Sequence, residues 1–148
     1  MVDEAKSGRM DMKRKFGFWA VLGVAVALLV YFIAFYDSSD PSAQKASGEF
    51  ITYIQDIDAA SAYDQFSSAG RAATSSSEFE TLVTRIGPIL SGKPKLVQKV
   101  LTEQPGKDDS AQVVYEITGT DGIAYLVTVN LVIVKGDWKV LSLTSSTK

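Results

Sequence analysis

Residues 111–143 read AQVVYEITGTDGIAYLVTVNLVIVKGDWKVLSL, and the alternation inside this stretch decides the fold. Apolar and polar side chains follow one another with the period of two that sends them to opposite faces of a β-strand. Asp121-Gly122 and Gly136-Asp137 interrupt the pattern with turn chemistry, and upstream LVQKVLTE (96–103) carries the same pattern up to Pro105-Gly106. Four such runs separated by short turns predict a four-stranded antiparallel meander.

The turns can be read for register. In AQVVYEIT the odd positions Val113, Tyr115 and Ile117 are apolar, and Gln112, Glu116 and Thr118 are polar. A two-residue loop at Asp121-Gly122 would set Tyr115 against Thr128 and mismatch the apolar faces of the two strands. A three-residue loop Thr120-Asp121-Gly122, with Gly122 left-handed, pairs Tyr115 with Val127 and Val113 with Val129. Val113, Tyr115, Ile117, Tyr125, Val127, Val129, Leu131 and Ile133 then face a core, while Val114, Leu126, Thr128, Asn130, Val132 and Val134 face away. With Gly136-Asp137 as a two-residue turn, Leu141 falls opposite Val132 on the outer face and Trp138 and Val140 join the core. Val114, Leu126, Val132, Val134 and Leu141 thus form an apolar strip on a face that is usually polar, and Leu143 would extend it. This strip is the candidate interaction face.

Upstream of the meander the period is helical. Phe50, Ile54 and Ile57, widened by Ile51 and Tyr53, predict a helix from Ala43 to about Asp58, with Asp40 able to cap it and Pro41 suited to its first turn. DAASAYDQFSSAGRAA (58–73) predicts a second helix, capped by Asp58, with Ala62, Tyr63 and Phe66 on one face and Gly70 ending or bending it. Ser77 and Glu80 fit a capping box ahead of a third helix carrying Phe79, Leu82, Val83 and Ile86, which Pro88 stops.

Farther out lies FGFWAVLGVAVALLVYFIAFY, residues 16–36, which are 21 residues without a charge. As a helix it spans about 31 Å, the thickness of a bilayer's hydrocarbon core. Lys13-Arg14-Lys15 abut one end and Asp37-Ser38-Ser39-Asp40 follow the other, so the positive-inside rule puts the N-terminus in the cytoplasm and the C-terminal part outside. The bulky Ala34-Phe35-Tyr36 is a poor signal-peptidase site. The expected organisation is a basic cytoplasmic tail (1–15), a transmembrane helix (16–36), a linker (37–42) and an extracytoplasmic α+β domain (43–148), with about three helices packed on a curved four-stranded antiparallel sheet.

Composition narrows the chemistry. The chain has no Cys and no His, which removes disulfides, thiol chemistry, imidazole bases and most zinc sites. From Asp37 onward 14 acidic residues face 10 basic ones, too little positive charge for a nucleic-acid surface. No Gly-rich phosphate loop or calcium-loop ligand set occurs. Asp56, Asp58, Asp64, Tyr53, Tyr63, Tyr115 and Tyr125 are the candidates for acid-base work, but no spacing sets an Asp beside a Tyr on a strand's apolar face. No catalytic residue, cofactor or metal is expected.

The string DAASAYDQFSSAGRAATSSSEFETLV together with the terminal GDWKVLSLT resembles the nuclear-transport-factor-two-like (cystatin-like cone) superfamily over roughly residues 43 to 145. Small bacterial members show an Ala-Tyr-x-x-Phe-Ser helix, a later Ser-x-x-x-Phe helix and a final Gly-Asp-Trp-Lys-Val strand. The resemblance implies helices and a curved sheet enclosing a cone, which is a ligand pocket or active site in some members and filled in many. A single span followed by such a domain also resembles envelope-anchored scaffold components, including those of type IV secretion systems. The expected function is a membrane-anchored, non-catalytic interaction or scaffold module of a cell-envelope complex, held in the bilayer by Phe16 to Tyr36 and binding a protein partner or a second copy. The alternative is a small-molecule-binding or isomerase-like domain using the cone's interior.

Overall fold

Two glycine-bearing turns set the sheet. The computed structural model describes residues 41–148; the tail, the expected transmembrane helix and the linker up to residue 40 lie outside the described residues. Strands β1 (Lys95–Thr102), β2 (Ser110–Thr118), β3 (Ala124–Val134) and β4 (Asp137–Thr147) form one curved antiparallel sheet in the order β1-β2-β3-β4. Between β2 and β3, Gly119 N–H donates to Ile123 O at 2.8 Å and Gly122 has φ +77°. The three-residue loop 120–122 is therefore present, and Tyr115 pairs with Val127 and Val113 with Val129 as the pattern requires.

The β3–β4 turn differs from expectation. Its central residues are Lys135 and Gly136, with φ +52° and +85°, and Val134 pairs with Asp137. Positive φ at both centres is the twist-matched hairpin geometry. Val132 consequently faces Lys139, not Leu141. Leu131 pairs with Val140 and Asn130 with Ser142, which leaves Leu141 as the extra residue of a bulge, 39% exposed. Past the bulge Leu143 pairs with Val129 and packs on the core side.

Among the described residues four helices precede the sheet: α1 (Pro41–Gln55), α2 (Ala59–Asp64), α3 (Ser68–Ala73) and α4 (Ser76–Ile86). The first ends earlier than the periodicity suggested. Asp58 N–H reaches Tyr53 O at 2.8 Å and Ile57 N–H reaches Ile54 O at 3.1 Å, a Schellman-type close that puts Ile57 at φ +58° and leaves it 47% exposed. The expected second helix is two. Asp58 caps α2 through Ser61 N–H, but residues Gln65–Ser67 leave the helix to pair with β4: Val140 N–H donates to Gln65 O and Ser67 N–H to Val140 O, both at 2.8 Å. This contact occupies the backbone groups of an edge strand. Ser67 then caps α3 through Gly70 N–H. Gly70 does not end a helix; it lies inside α3, where a Cβ would sit 2.6 Å from Phe66 Cδ1 and 2.8 Å from Val140 O. The capping box of α4 is Ser75 with Glu78, two residues before the expected pair.

The core lies between α1, α2, α4 and the inner face of β2–β4. Phe50, Phe66 and Phe79 meet with ring centroids 5.0 to 6.0 Å apart, and Tyr63 closes the cluster. Ile51, Ile54 and Val83 add to it, and from the sheet come Val113, Ile117, Val127, Val129, Leu131 and Val140, all buried.

Candidate functional site

The helices cover β2, β3 and β4 more fully than β1. Tyr115 on β2 is 5% exposed, whereas its partner Leu96 on β1 is 38% exposed and Val97, extra in a β1 bulge, is 53% exposed. Beside α1 lies an open groove of about 740 Å³, lined by Gln44, Lys45, Gly48, Glu49, Thr52 and Tyr53 of α1, by Lys93 and Pro94 ahead of β1, and by Tyr115 of β2. The α1 residues recur at helical spacing and make one stripe. Gln55 ties the end of α1 to the segment ahead of β1, donating through Nε2 to Leu90 O at 2.6 Å and Gly92 O at 2.8 Å.

Two hydroxyls meet at the floor. Ser47 Oγ is 2.8 Å from Tyr115 Oη and 3.0 Å from Gln44 O, and Tyr115 Oη is 3.1 Å from Gln44 O. Two protons serve three contacts, so one contact at a time lacks a donor. Burial pushes the Tyr115 phenol above its ordinary pKa, and the Ser47 hydrogen bond opposes that shift. The neutral phenol is therefore the form the site holds.

The acid-base candidates separate. Tyr53 and Tyr115 both reach the groove, but no Asp is among its lining residues. Asp58 is a helix cap, and its carboxyl lies below the usual range because Ser61 hydrogen-bonds it. Asp64 is a solvated partner of Arg71 at 3.6 Å. Asp56 is exposed at the end of α1. Tyr63 belongs to the core and donates to Thr74 O at 2.9 Å. Tyr125 donates to Asp121 across the β2–β3 loop, which lowers the Asp121 carboxyl's pKa and raises the phenol's. Among the described residues no group of three or more acidic side chains is placed to hold a metal ion.

The candidate interaction face is present as a face but not as one strip. Val114, Leu126, Val132 and Val134 lie half-buried on the side of the sheet away from the core, and Leu141 stands in the bulge. A polar row crosses between them: Gln112 Nε2 donates to Asn130 Oδ1 at 3.1 Å, and Asn130 Nδ2 to Ser142 Oγ at 2.9 Å. Val114 and Leu126 fall on one side of this row, Val132 and Val134 on the other. The groove itself escaped the reading of the sequence. Its one legible sign was Gly48, a glycine inside an amphipathic helix.

No protein-family model matches the chain, and no curated protein matches it in sequence.

Proposed function

We propose that this protein is a single-pass, membrane-anchored interaction module of a cell-envelope complex, with residues 16–36 in the bilayer and the α+β domain outside the cytoplasm. The observation that carries the reading is the sheet's outer face. No helix among the described residues packs on it, yet it bears Val114, Leu126, Val132 and Val134. Apolar groups on an uncovered face gain by association, at about 25 cal/mol per Å² removed from water. A ligand inside the cone would instead have to displace the packed Phe50, Phe66 and Phe79 rings. Membership of the nuclear-transport-factor-two-like superfamily belongs to the same proposal. It is supported by the order of helices before meander and by the Phe66 segment bridging the terminal strand at Val140.

The anchor is tested with single cysteines in intact cells. Ser39→Cys and Ser146→Cys should react with a membrane-impermeant thiol reagent and Ser7→Cys should not; labelling of Ser7→Cys alone reverses the topology. The interface is tested with a photo-crosslinking residue at Thr128 of the full-length protein in membranes. Protein adducts are expected, and Leu126→Lys should abolish them while leaving the melting temperature unchanged. A strongly destabilised Leu126→Lys domain would mean that the face is internal and would overturn the interface.

A further inference from the structure

The two edges of the sheet are built differently. β1, the first edge strand, follows Pro94, carries Lys95 and Lys99, and is broken by the bulge at Val97. Lysines and bulges are devices that keep an edge from pairing with another strand. β4, the other edge, has its first part closed by residues 65–67, which bond both backbone groups of Val140. Past the bulge at Leu141 neither kind of protection remains: residues 142–147 read SLTSST, with no charge, proline or glycine.

The ladder shows which groups of this stretch are left over. Lys148 N–H donates to Ala124 O at 2.9 Å. Bonded and unbonded positions alternate along an antiparallel strand, so Ser142, Thr144 and Ser146 turn their amides and carbonyls to β3, and Leu143, Ser145 and Thr147 turn theirs outward. Among the described residues no backbone group takes up those outward donors and acceptors. Residues 144–147 are exposed as well.

A second copy of the chain fits this edge. Laid antiparallel about a two-fold axis through Ser145, it sets Leu143 against Thr147, Thr144 against Ser146, and Ser145 against itself. The three outward positions then exchange about six backbone hydrogen bonds. Ser and Thr hydroxyls opposite one another are favourable cross-strand neighbours, and no charge meets its like. That neutrality singles the seam out, since the stretch from Asp37 onward is net acidic and two such domains repel over much of their surface. Glu116, at the same end of the sheet, is already paired with Lys148 at 2.7 Å. The same pairing of β1 about Val97 would set Lys95 against Lys99. The register also clears what lies beside the strand: residues 143–147 of the second copy end short of Val140, where residues 65–67 sit. The axis stands normal to the sheet, so the helices of both copies lie on one face of the joined sheet.

We propose that this chain forms a symmetric dimer through the free edge of β4, residues 143–147 of two copies pairing antiparallel about Ser145 to make one continuous sheet. The seam is distinct from the outer sheet face of the reading above, which the dimer doubles and leaves open.

The test uses single cysteines in the full-length protein, in membranes of the cells that make it. The chain has no cysteine of its own. Across the axis the two Ser145 Cα atoms stand about 5.5 Å apart, within the range a disulfide spans. The two Thr147 Cα atoms stand about 14 Å apart, four residues along the strand, and are out of reach. Copper-phenanthroline oxidation should therefore give a species of twice the mass from Ser145→Cys at least tenfold faster than from Thr147→Cys, which is equally exposed. Ser145→Lys sets two like charges directly opposite. It should speed hydrogen exchange of the residue 143–147 amides at least tenfold, with the melting temperature unchanged. Equal crosslinking at 145 and 147 means random collision and overturns the proposal, as does its absence at both. Exchange unaltered by Ser145→Lys overturns it too, because the amides are then held by something other than a second β4. Self-crosslinking of Thr128→Cys without that of Ser145→Cys would put the contact between sheet faces and sink the edge seam. Photo-crosslinks from Thr128 report the outer face separately: their persistence without the Ser145 disulfide discards the dimer alone, and their loss with the disulfide intact discards only the reading of that face.

Discussion

Gly70 and Gly48 both sit inside helices, and the structure predicts opposite signs when each becomes alanine. At Gly70 the new methyl would lie 2.6 Å from Phe66 Cδ1, 2.8 Å from Val140 O and 3.1 Å from Leu141 O. Phe66 cannot retreat freely, since its ring is stacked edge-on against Phe50 and Phe79 at 5.6 and 5.0 Å. Nor can Val140 O, which accepts the Ser67 N–H. Overpacking of this kind costs about 1–3 kcal/mol, and loss of that hydrogen bond adds about 1 kcal/mol; alanine's better helix propensity returns about 1 kcal/mol. The net expectation is destabilisation by about 1–3 kcal/mol. At Gly48 the new methyl would meet, among the described residues, Tyr115 Oη alone at an ordinary 3.8 Å, so the propensity gain decides and stability should rise by about 0.5–1 kcal/mol. Each kcal/mol moves the melting temperature of a domain this size by about 4–8 °C, so the two variants of a 41–148 fragment should bracket the parent by a readily measured interval. Urea unfolding gives the free energies directly. Gly70→Ala at or above parental stability would refute the close approach of α3 to β4, and a destabilising Gly48→Ala would mean that the groove floor is packed and not open.

Three further outcomes follow from the same geometry. Phe79→Ala, at the centre of the aromatic cluster, should cost about 3–5 kcal/mol in urea unfolding. Ser75→Ala should cost about 1 kcal/mol and Ser77→Ala almost nothing, because the capping box belongs to Ser75; the reverse order would return the cap to Ser77. Tyr115→Phe should cost about 1 kcal/mol near neutral pH, as Ser47 keeps its bond to Gln44 O. The Tyr115 phenol has a raised folded pKa, so its contribution is complete below the unfolded value near 10 and is lost as pH rises above it. Stability measured from pH 9 to 11 should therefore fall more steeply in the parent than in Tyr115→Phe.

How far the sequence could be read depended on whether a local rule acted alone. The β2–β3 loop was legible because the apolar faces of both strands constrain it, and a one-residue slip would have exposed Tyr115, Val127 and their neighbours. The β3–β4 hairpin had weaker constraints. Moving its turn from Gly136-Asp137 to Lys135-Gly136 shifts the pairing by two residues, an even number, so Trp138 and Val140 still reach the core side. The bulge at Leu141 is an odd shift, and it is what carries Leu143 inward. No local pattern announces it, because its cause is tertiary. Val140 on the core side exchanges backbone hydrogen bonds with Gln65 and Ser67, and Gly70 presses against the carbonyls of Val140 and Leu141. The same contact splits the helix expected over residues 58–73, since Gln65–Ser67 cannot both continue a helix and pair with a strand. One long-range contact thus accounts for both departures. The groove was hidden for the complementary reason: a helix stripe of Gln44, Lys45, Gly48, Glu49 and Thr52 reads simply as a solvated face until the fold sets Lys93, Pro94 and Tyr115 beside it. Gly48, costly inside a helix, leaves that face open: among the described residues a Cβ there would meet Tyr115 Oη alone, at 3.8 Å.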